Sequence, residues 1–302
     1  VAYSDAQGID AASFKVTING TDRTALFSVG EGAASVTLPE AARLPEGENT
    51  VVAEIRDLTG NSSTAISAFT VDTIKPTGSL EAPSLITNSA TPTIRLRYAD
   101  SGTGVDAASV RVLVDGVDHT GLFAVGQSGA TWTPTAPLEE GLHEVVLSVA
   151  DRAGNLAEVR GHFTVDTLEP TASFVVPAND SFSNDSTPSL RLVYADGTGT
   201  GIDPASVRVF HRLAGETWRE VTSYFAQIGA NGAVGVVPDG AALADGTHHL
   251  KAEVQDRASN QTIVLSSFEL DTVRPTYAIE TPAAGAFVPS ATPSFAIQYQ
   301  DD

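Results

Sequence analysis

The stretch YADSGTGVDAASVRVLVDG, Tyr98–Gly116, couples an acidic, glycine-rich loop to a run that alternates apolar and polar residues. In that run Val110, Val112 and Val114 fall on one face, the period-two pattern of a half-buried β-strand. The preceding TIRLRY does the same with Ile94, Leu96 and Tyr98 against Arg95 and Arg97. An acidic loop between two alternating runs predicts two strands joined at one end of a sheet. Nearly the same text recurs as YSDAQGIDAASFKVTING from Tyr3, as YADGTGTGIDPASVRVF from Tyr194, and as YQDD from Tyr299.

Working outward, further landmarks recur in fixed order. ATPTIRLRY from Ala90 has counterparts from Ser186 and Ala291. EEGLHEVVLSV from Glu139 has counterparts from Pro45 and Ala244, and VADRAGN from Val149 has counterparts from Ile55 and Val254. FTVDTIKPT from Phe69 returns from Phe163 and Phe268, placing Thr73, Thr167 and Thr272 94 and 105 positions apart. A solenoid repeats every ~20–50 residues, so these periods are whole domains, each burying its own core. The reading is one module over 1–75 that lacks its first strands, full modules over 76–170 and 171–275, and the first strands of a further module over 276–302. The chain reads as an excerpt of a longer array.

Asn19-Gly20 and Asp115-Gly116 supply the left-handed backbone that tight hairpins need. No segment has convincing amphipathic helical spacing. About seven short strands per module with these turn signals predict an all-β fold of Greek-key β-sandwiches.

The DRAGN-type turn, the strand ending in VDTxxPT and the EGLHEVVLSV strand resemble tandem bacterial immunoglobulin-like domains of large secreted or surface adhesins. The likeness runs along essentially the whole chain. It implies tandem immunoglobulin-like Greek-key β-sandwiches arranged end to end as an extracellular or cell-surface stalk or spacer, sometimes with calcium at the junctions, whose partners are neighbouring domains of the same longer chain.

Composition limits the alternatives. The chain has 37 acidic and 17 basic residues, a net charge of -20, which argues against nucleic acid or an anionic membrane surface and suits cations. It has no cysteine, so disulfides and thiolate metal sites are excluded. No apolar run is long enough to span a bilayer. His119, His143, His162, His211, His248 and His249 lack metal-site spacing and read as structural. No nucleophile elbow is present, and paired carboxylates recur in every module where a glycosidase would carry one pair, so enzymatic activity is not expected.

With TPTIRLRY as strand B, the acidic loop after it as B–C, VADRAGN as the end of strand F and the F–G turn, and FTVDT as the end of strand G, the immunoglobulin topology puts the B–C and F–G loops at one end of a module, where strand G of the preceding module arrives. This gathers Asp72, Asp100, Asp106 and Asp151, with Asn155 adding oxygen, at one junction, and Asp166, Asp196, Asp203 and Asp256 at the next. Asp271 and Asp301 begin a third. Calcium takes about six to eight oxygen ligands from such groups, and a divalent ion relieves their repulsion. A purely structural reading stands beside it: Asp106 caps a turn, Asp151 forms an Asx turn, and Asp72 accepts linker amides. The loop aspartates are 5, 6 and 7 positions apart in the three copies, too variable for a loop that wraps an ion by itself.

The third module departs from the others at FHRLAGETWREVTSYF from Phe210, a longer hairpin bearing Trp218. Trp218 is a candidate contact for a glycan or a protein, or simply covers its own sheet. Strand exchange between the tail and the first module, giving a filament, is a further alternative.

Overall fold

The computed structural model describes residues 1–301 as strands and turns; the helical turns among them are six three-residue 3-10 turns. The chain divides into two compact units, one of Val1–Ser84, Pro92–Thr135 and His143–His162, the other of Leu85–Thr91, Ala136–Leu142 and Phe163–Asp302.

In the first unit, strands Ile9–Ile18, Gly47–Asp57 and Ser62–Val71 form an antiparallel sheet with the short strand Thr21–Asp22 at one edge. Its inward residues Phe14, Val16 and Ala53 meet Ala34 in a small core. Asn19 and Gly20 both take positive φ (52° and 73°), as do Asp115 and Gly116 (52° and 77°), so both expected hairpins turn through left-handed backbone.

Also in this unit, Ile94–Ala99 pairs with Thr77–Ala82 on one side and Gly129–Trp132 on the other. Val105–Val114 pairs with the strand that ends at Asp151, Val105 lying opposite Asp151. The predicted inward residues Ile94, Leu96, Tyr98, Val110, Val112 and Val114 are all buried. The two sheets face each other closely: a Cβ on Gly78 would stand 3.0 Å from Leu147, and one on Gly161 would stand 2.7 Å from Leu80. Side chains at those glycines would hold the layers apart.

The second unit repeats the plan. Thr171–Val176, Ser189–Ala195 and Gly232–Val236 form one sheet with Gln227–Ile228, and Arg208–Leu213, Gly246–Gln255 and Gln261–Leu270 form the centre of the other. Phe174, Leu192, Tyr194, Val209, Val254 and Phe268 belong to one continuous core. The segment before each B strand crosses to the opposite sheet: Ser181–Ser183 runs parallel to residues 268–270, and Ile86–Thr87 runs parallel to Thr164–Val165.

The tyrosines Tyr3, Tyr98 and Tyr194 anchor the acidic loops that they open. Tyr98 is buried and its hydroxyl donates to the carbonyls of Gly126 (2.7 Å) and Gly129 (2.9 Å); Tyr194 donates likewise to Gly229 (2.8 Å) and Tyr3 to Gly30. Burial raises the pKa of Tyr98 and Tyr194. A fixed ring at the strand end sets where the aspartate two residues later begins its loop.

Candidate metal centres in the acidic loops

Asp72 leaves the strand Ser62–Val71 and meets the loop after Ala99. Its Oδ2 accepts the N–H of Thr103 at 2.6 Å and the Thr103 hydroxyl at 2.7 Å, and its Oδ1 accepts Ile74 N–H at 3.1 Å. The Thr103 N–H, then the hydroxyl, hold its carboxyl below the usual range. Gly102 permits this approach: a Cβ there would sit 2.3 Å from Asp72 Oδ2.

Asp100 folds back on its own loop, its Oδ2 accepting Gly102 N–H (2.9 Å) and Gly104 N–H (2.8 Å). Asp151 is fixed from the F–G turn: Asn155 donates its backbone N–H to Oδ1 (2.8 Å) and its amide to Oδ2 (2.7 Å). The same amide donates to the carbonyl of Asp72 at 2.9 Å, so Asn155 joins the turn to the incoming linker. Asp72, Asp100 and Asp151 each bring an oxygen within 4.8 Å of the others.

The second group is a near copy. Asp166, Asp196 and Asp256 likewise lie within 4.8 Å of one another. Thr200 donates its N–H and its hydroxyl to Asp166 Oδ2, both at 2.6 Å, and Gly201 N–H donates to Asp196 Oδ2 at 2.6 Å. Asn260 holds Asp256 through its N–H (2.9 Å) and amide (2.7 Å) and donates to the carbonyl of Asp166 at 2.8 Å. The extra residue of this loop is absorbed between Asp196 and Gly199, and the two ends keep their partners. Only the first aspartate of each loop, Asp100 or Asp196, joins the group, so its spacing to the second aspartate is free to vary.

The electrostatics are unbalanced. None of the ion pairs among the described residues reaches these six aspartates. Oδ1 of Asp100 and Oδ1 of Asp196 are buried and accept no hydrogen bond. Burial raises the Asp196 pKa, Gly201 N–H opposes it, and the charges of Asp166 and Asp256 add to the rise. A buried carboxylate oxygen without a donor, beside two further carboxylates, suits a hard divalent cation with oxygen ligands.

The remaining sequence candidates stand elsewhere. Asp106 accepts Ala108 N–H at 3.0 Å within its own strand start, and Asp203 caps the turn Pro204–Ser206 by accepting Ala205 N–H at 3.0 Å. Neither belongs to a three-carboxylate group among the described residues. Asp271 accepts Val273 N–H at 2.9 Å, and neither it nor the exposed Asp301 joins such a group. In the first copy, which has no upstream linker aspartate in this sequence, Asn61 still clasps Asp57, and these bonds lower its pKa to about 2.

Sequence reasoning missed a second clasp. The threonine after each linker aspartate is held by the acidic residue just before the strand that starts at Gly47, Gly141 or Gly246: Thr73 N–H by Glu46 (2.9 Å), Thr167 N–H by Glu140 (3.0 Å) and Thr272 N–H by Asp245 (2.9 Å), with each hydroxyl bonded to the same carboxylate. The recurring E/D-G before the strand, paired with the recurring D-T after it, was the available signal. Of the histidines, His143 is buried and bonded to Asp115 (2.6 Å), and His248 is buried and bonded to His211 (2.8 Å) and the carbonyl of Ala244 (2.8 Å). Trp218 is half-buried, with the guanidinium of Arg212 4.7 Å from its ring centroid.

Comparison with known proteins gives a family for part of the chain. Residues 77–167 match the family model of the bacterial Ig-like domain. No curated protein matches the chain. Among solved structures, a tetra-tandem repeat from the extending region of a large adhesion protein is 19% identical, with 91% of this chain and 70% of that chain aligned and a TM-score of 0.36. A Ca2+-stabilised adhesin of an Antarctic bacterium that binds ice is 15% identical, over 94% and 71% of the two chains, at a TM-score of 0.28. A 1.5-MDa bacterial ice-binding adhesin is 15% identical, over 85% and 86%, at 0.33. No helix among the described residues is long and apolar enough to cross a membrane. The match over 77–167 includes two of the three residues of the first aspartate group, Asp100 and Asp151.

Proposed function

We propose that the chain is a structural spacer of a bacterial surface or secreted adhesin. Its modules are 1–75, 76–170 and 171–275, with 276–302 opening a further one, and its junctions are stiffened by calcium. Asp72, Asp100 and Asp151 would hold one ion, and Asp166, Asp196 and Asp256 a second. Asp271 and Asp301 would begin a third such site. The observation that carries this reading is the pair of buried, donorless oxygens, Oδ1 of Asp100 and Oδ1 of Asp196, each beside two more carboxylates. Calcium would supply the missing positive charge and fill the lone pairs that no N–H reaches, with the amide oxygens of Asn155 and Asn260 and water completing its shell. A bound ion would tie the linker aspartate to both loops that face it. Such a role needs no catalytic group, and a non-enzymatic, extracellular protein is the reading adopted.

The test is proteolysis and melting of the full chain in calcium and in chelator. Calcium is expected to raise Tm and to slow cleavage in the linkers after Asp72 and Asp166. Identical cleavage and melting in the two conditions would overturn the calcium junctions.

A further inference from the structure

The outer face of the second unit's larger sheet carries a cationic and aromatic cleft unlike the rest of this acidic chain. Strand register builds it. Arg212 lies opposite His249, and His249 opposite Ser267; in the neighbouring row Phe210 lies opposite Lys251, and Lys251 opposite Leu265. Residues two apart share a face, so these two rows stand side by side on the side away from the core. The hairpin returns Trp218 over the first row, where it meets Arg212.

Most cations of this face are already neutralised. Lys251 pairs with Glu253 at 2.7 Å and Arg208 with Glu220 at 3.7 Å. Arg212 forms no ion pair among the described residues, and its buried Nε has no hydrogen-bond partner. Asp180, near the edge of the cleft, is held by Ser267 Oγ and Asn179 Nδ2, both at 2.9 Å. The corresponding face of the preceding repeat is closed instead: Arg160 is held between Glu144 (3.1 Å) and Glu158 (2.7 Å). The repeat alignment puts His249, Leu265 and Ile263 where Glu144, Arg160 and Glu158 stand. An acid at position 249 would stand opposite Arg212; a histidine is there instead, and Trp218 has been added beside it.

We propose that this cleft, lined by Arg212, Trp218, His249, Leu265, Ser267 and Asn179, binds a sugar residue carrying a carboxylate, of the uronic or sialic acid class. Charge complementarity selects the carboxylate, for which a guanidinium is the planar, bidentate partner. The His249 imidazole opposite Arg212 offers a donor or acceptor to a ring hydroxyl, and Trp218 and Leu265 flank the site with apolar surface. Its volume of about 150 Å³ is below the ~300–1,000 Å³ of pockets for drug-sized ligands, so it admits one ring rather than a run of them.

The experiment titrates the full chain with sodium glucuronate and with N-acetylneuraminate, with methyl glucoside and a hexaglutamate peptide as comparisons, following the Arg212 Nε–H and Trp218 indole N–H by NMR. An acidic sugar is expected to shift both signals saturably while methyl glucoside does not, and Arg212→Gln should weaken binding at least about tenfold, as loss of a charge-assisted pair does. His249→Glu restores the acid of the preceding repeat and should abolish binding while Tm holds or rises, which separates blocking of the site from unfolding. Equal shifts by methyl glucoside, binding of the peptide without the sugars, no saturable shift with any probe, or undiminished binding in His249→Glu would overturn the proposal.

Discussion

One oxygen of Asp72 accepts both the N–H and the hydroxyl of Thr103, at 2.6 and 2.7 Å, and Asp166 repeats the arrangement with Thr200 at 2.6 Å twice. The next residue, Thr73 or Thr167, is held by the carboxylate of Glu46 or Glu140. An Asp-Thr dipeptide is thus gripped on both sides, its aspartate by the loop that follows it in the chain and its threonine by a turn that precedes it. Because the Thr103 bonds lower the Asp72 pKa, Thr103→Val should raise it by removing the hydroxyl while leaving the N–H. A carboxyl-carbon NMR titration reads this; an unchanged pKa contradicts the assignment of the cause.

Gly102 is required by proximity, not by backbone angle. A Cβ at 2.3 Å from Asp72 Oδ2 must push the carboxylate off Thr103, so Gly102→Ala should lower both Tm and calcium affinity. Gly121→Ala, with open space around it, is the matched comparison and should change neither. Equal behaviour of the two variants would remove the close approach from the account.

Asn155 and Asn260 each satisfy an aspartate and a linker carbonyl. Asn155→Ala leaves part-buried acceptors without donors, a cost of about 1–3 kcal/mol. Denaturant unfolding of Asn155→Ala and Asn260→Ala should show losses of that order; a loss within error for both would mean that water replaces the amide freely.

Acid should act in two steps. His248 Nε2 donates to the carbonyl of Ala244, so its Nδ1 accepts from His211 Nε2. Burial first, then the charge of His248, lowers the His211 pKa from 6.5 to about 4. The unfolded chain therefore binds more protons than the folded one between these values, and stability falls as pH drops from about 6.5 to about 4. Asp57, depressed from 3.8 to about 2, keeps its contribution through that window and loses it below 3.8. Melting against pH should show the first decline and a smaller one in His211→Gln; equal Tm at about pH 7 and pH 4.5 contradicts it.

The strands were legible because burial imposes a period of two. Ile94, Leu96 and Tyr98 face inward as their spacing requires, and Asn19-Gly20 and Asp115-Gly116 turn as their residue types require. The meeting of Asp72, Asp100 and Asp151 was legible from topology, since repeated loops at one end of a sandwich must face the incoming linker. Asp106 and Asp203 were not separable from them: an aspartate two residues before a free N–H satisfies itself locally, and sequence does not distinguish a local acceptor from a long-range one. Thr103 and Gly102 gave no signal of their own, because a hydroxyl and a missing Cβ acquire meaning only once Asp72 is seen beside them.

The central claim is that two carboxylate triads each take a calcium ion. Calcium titration of the full chain by calorimetry, beside Asp100→Asn and Asp196→Asn, tests it most directly. The account predicts two saturable sites, one lost in each variant and both in the double variant. No binding by the unaltered chain, or binding undiminished in the double variant, would contradict it.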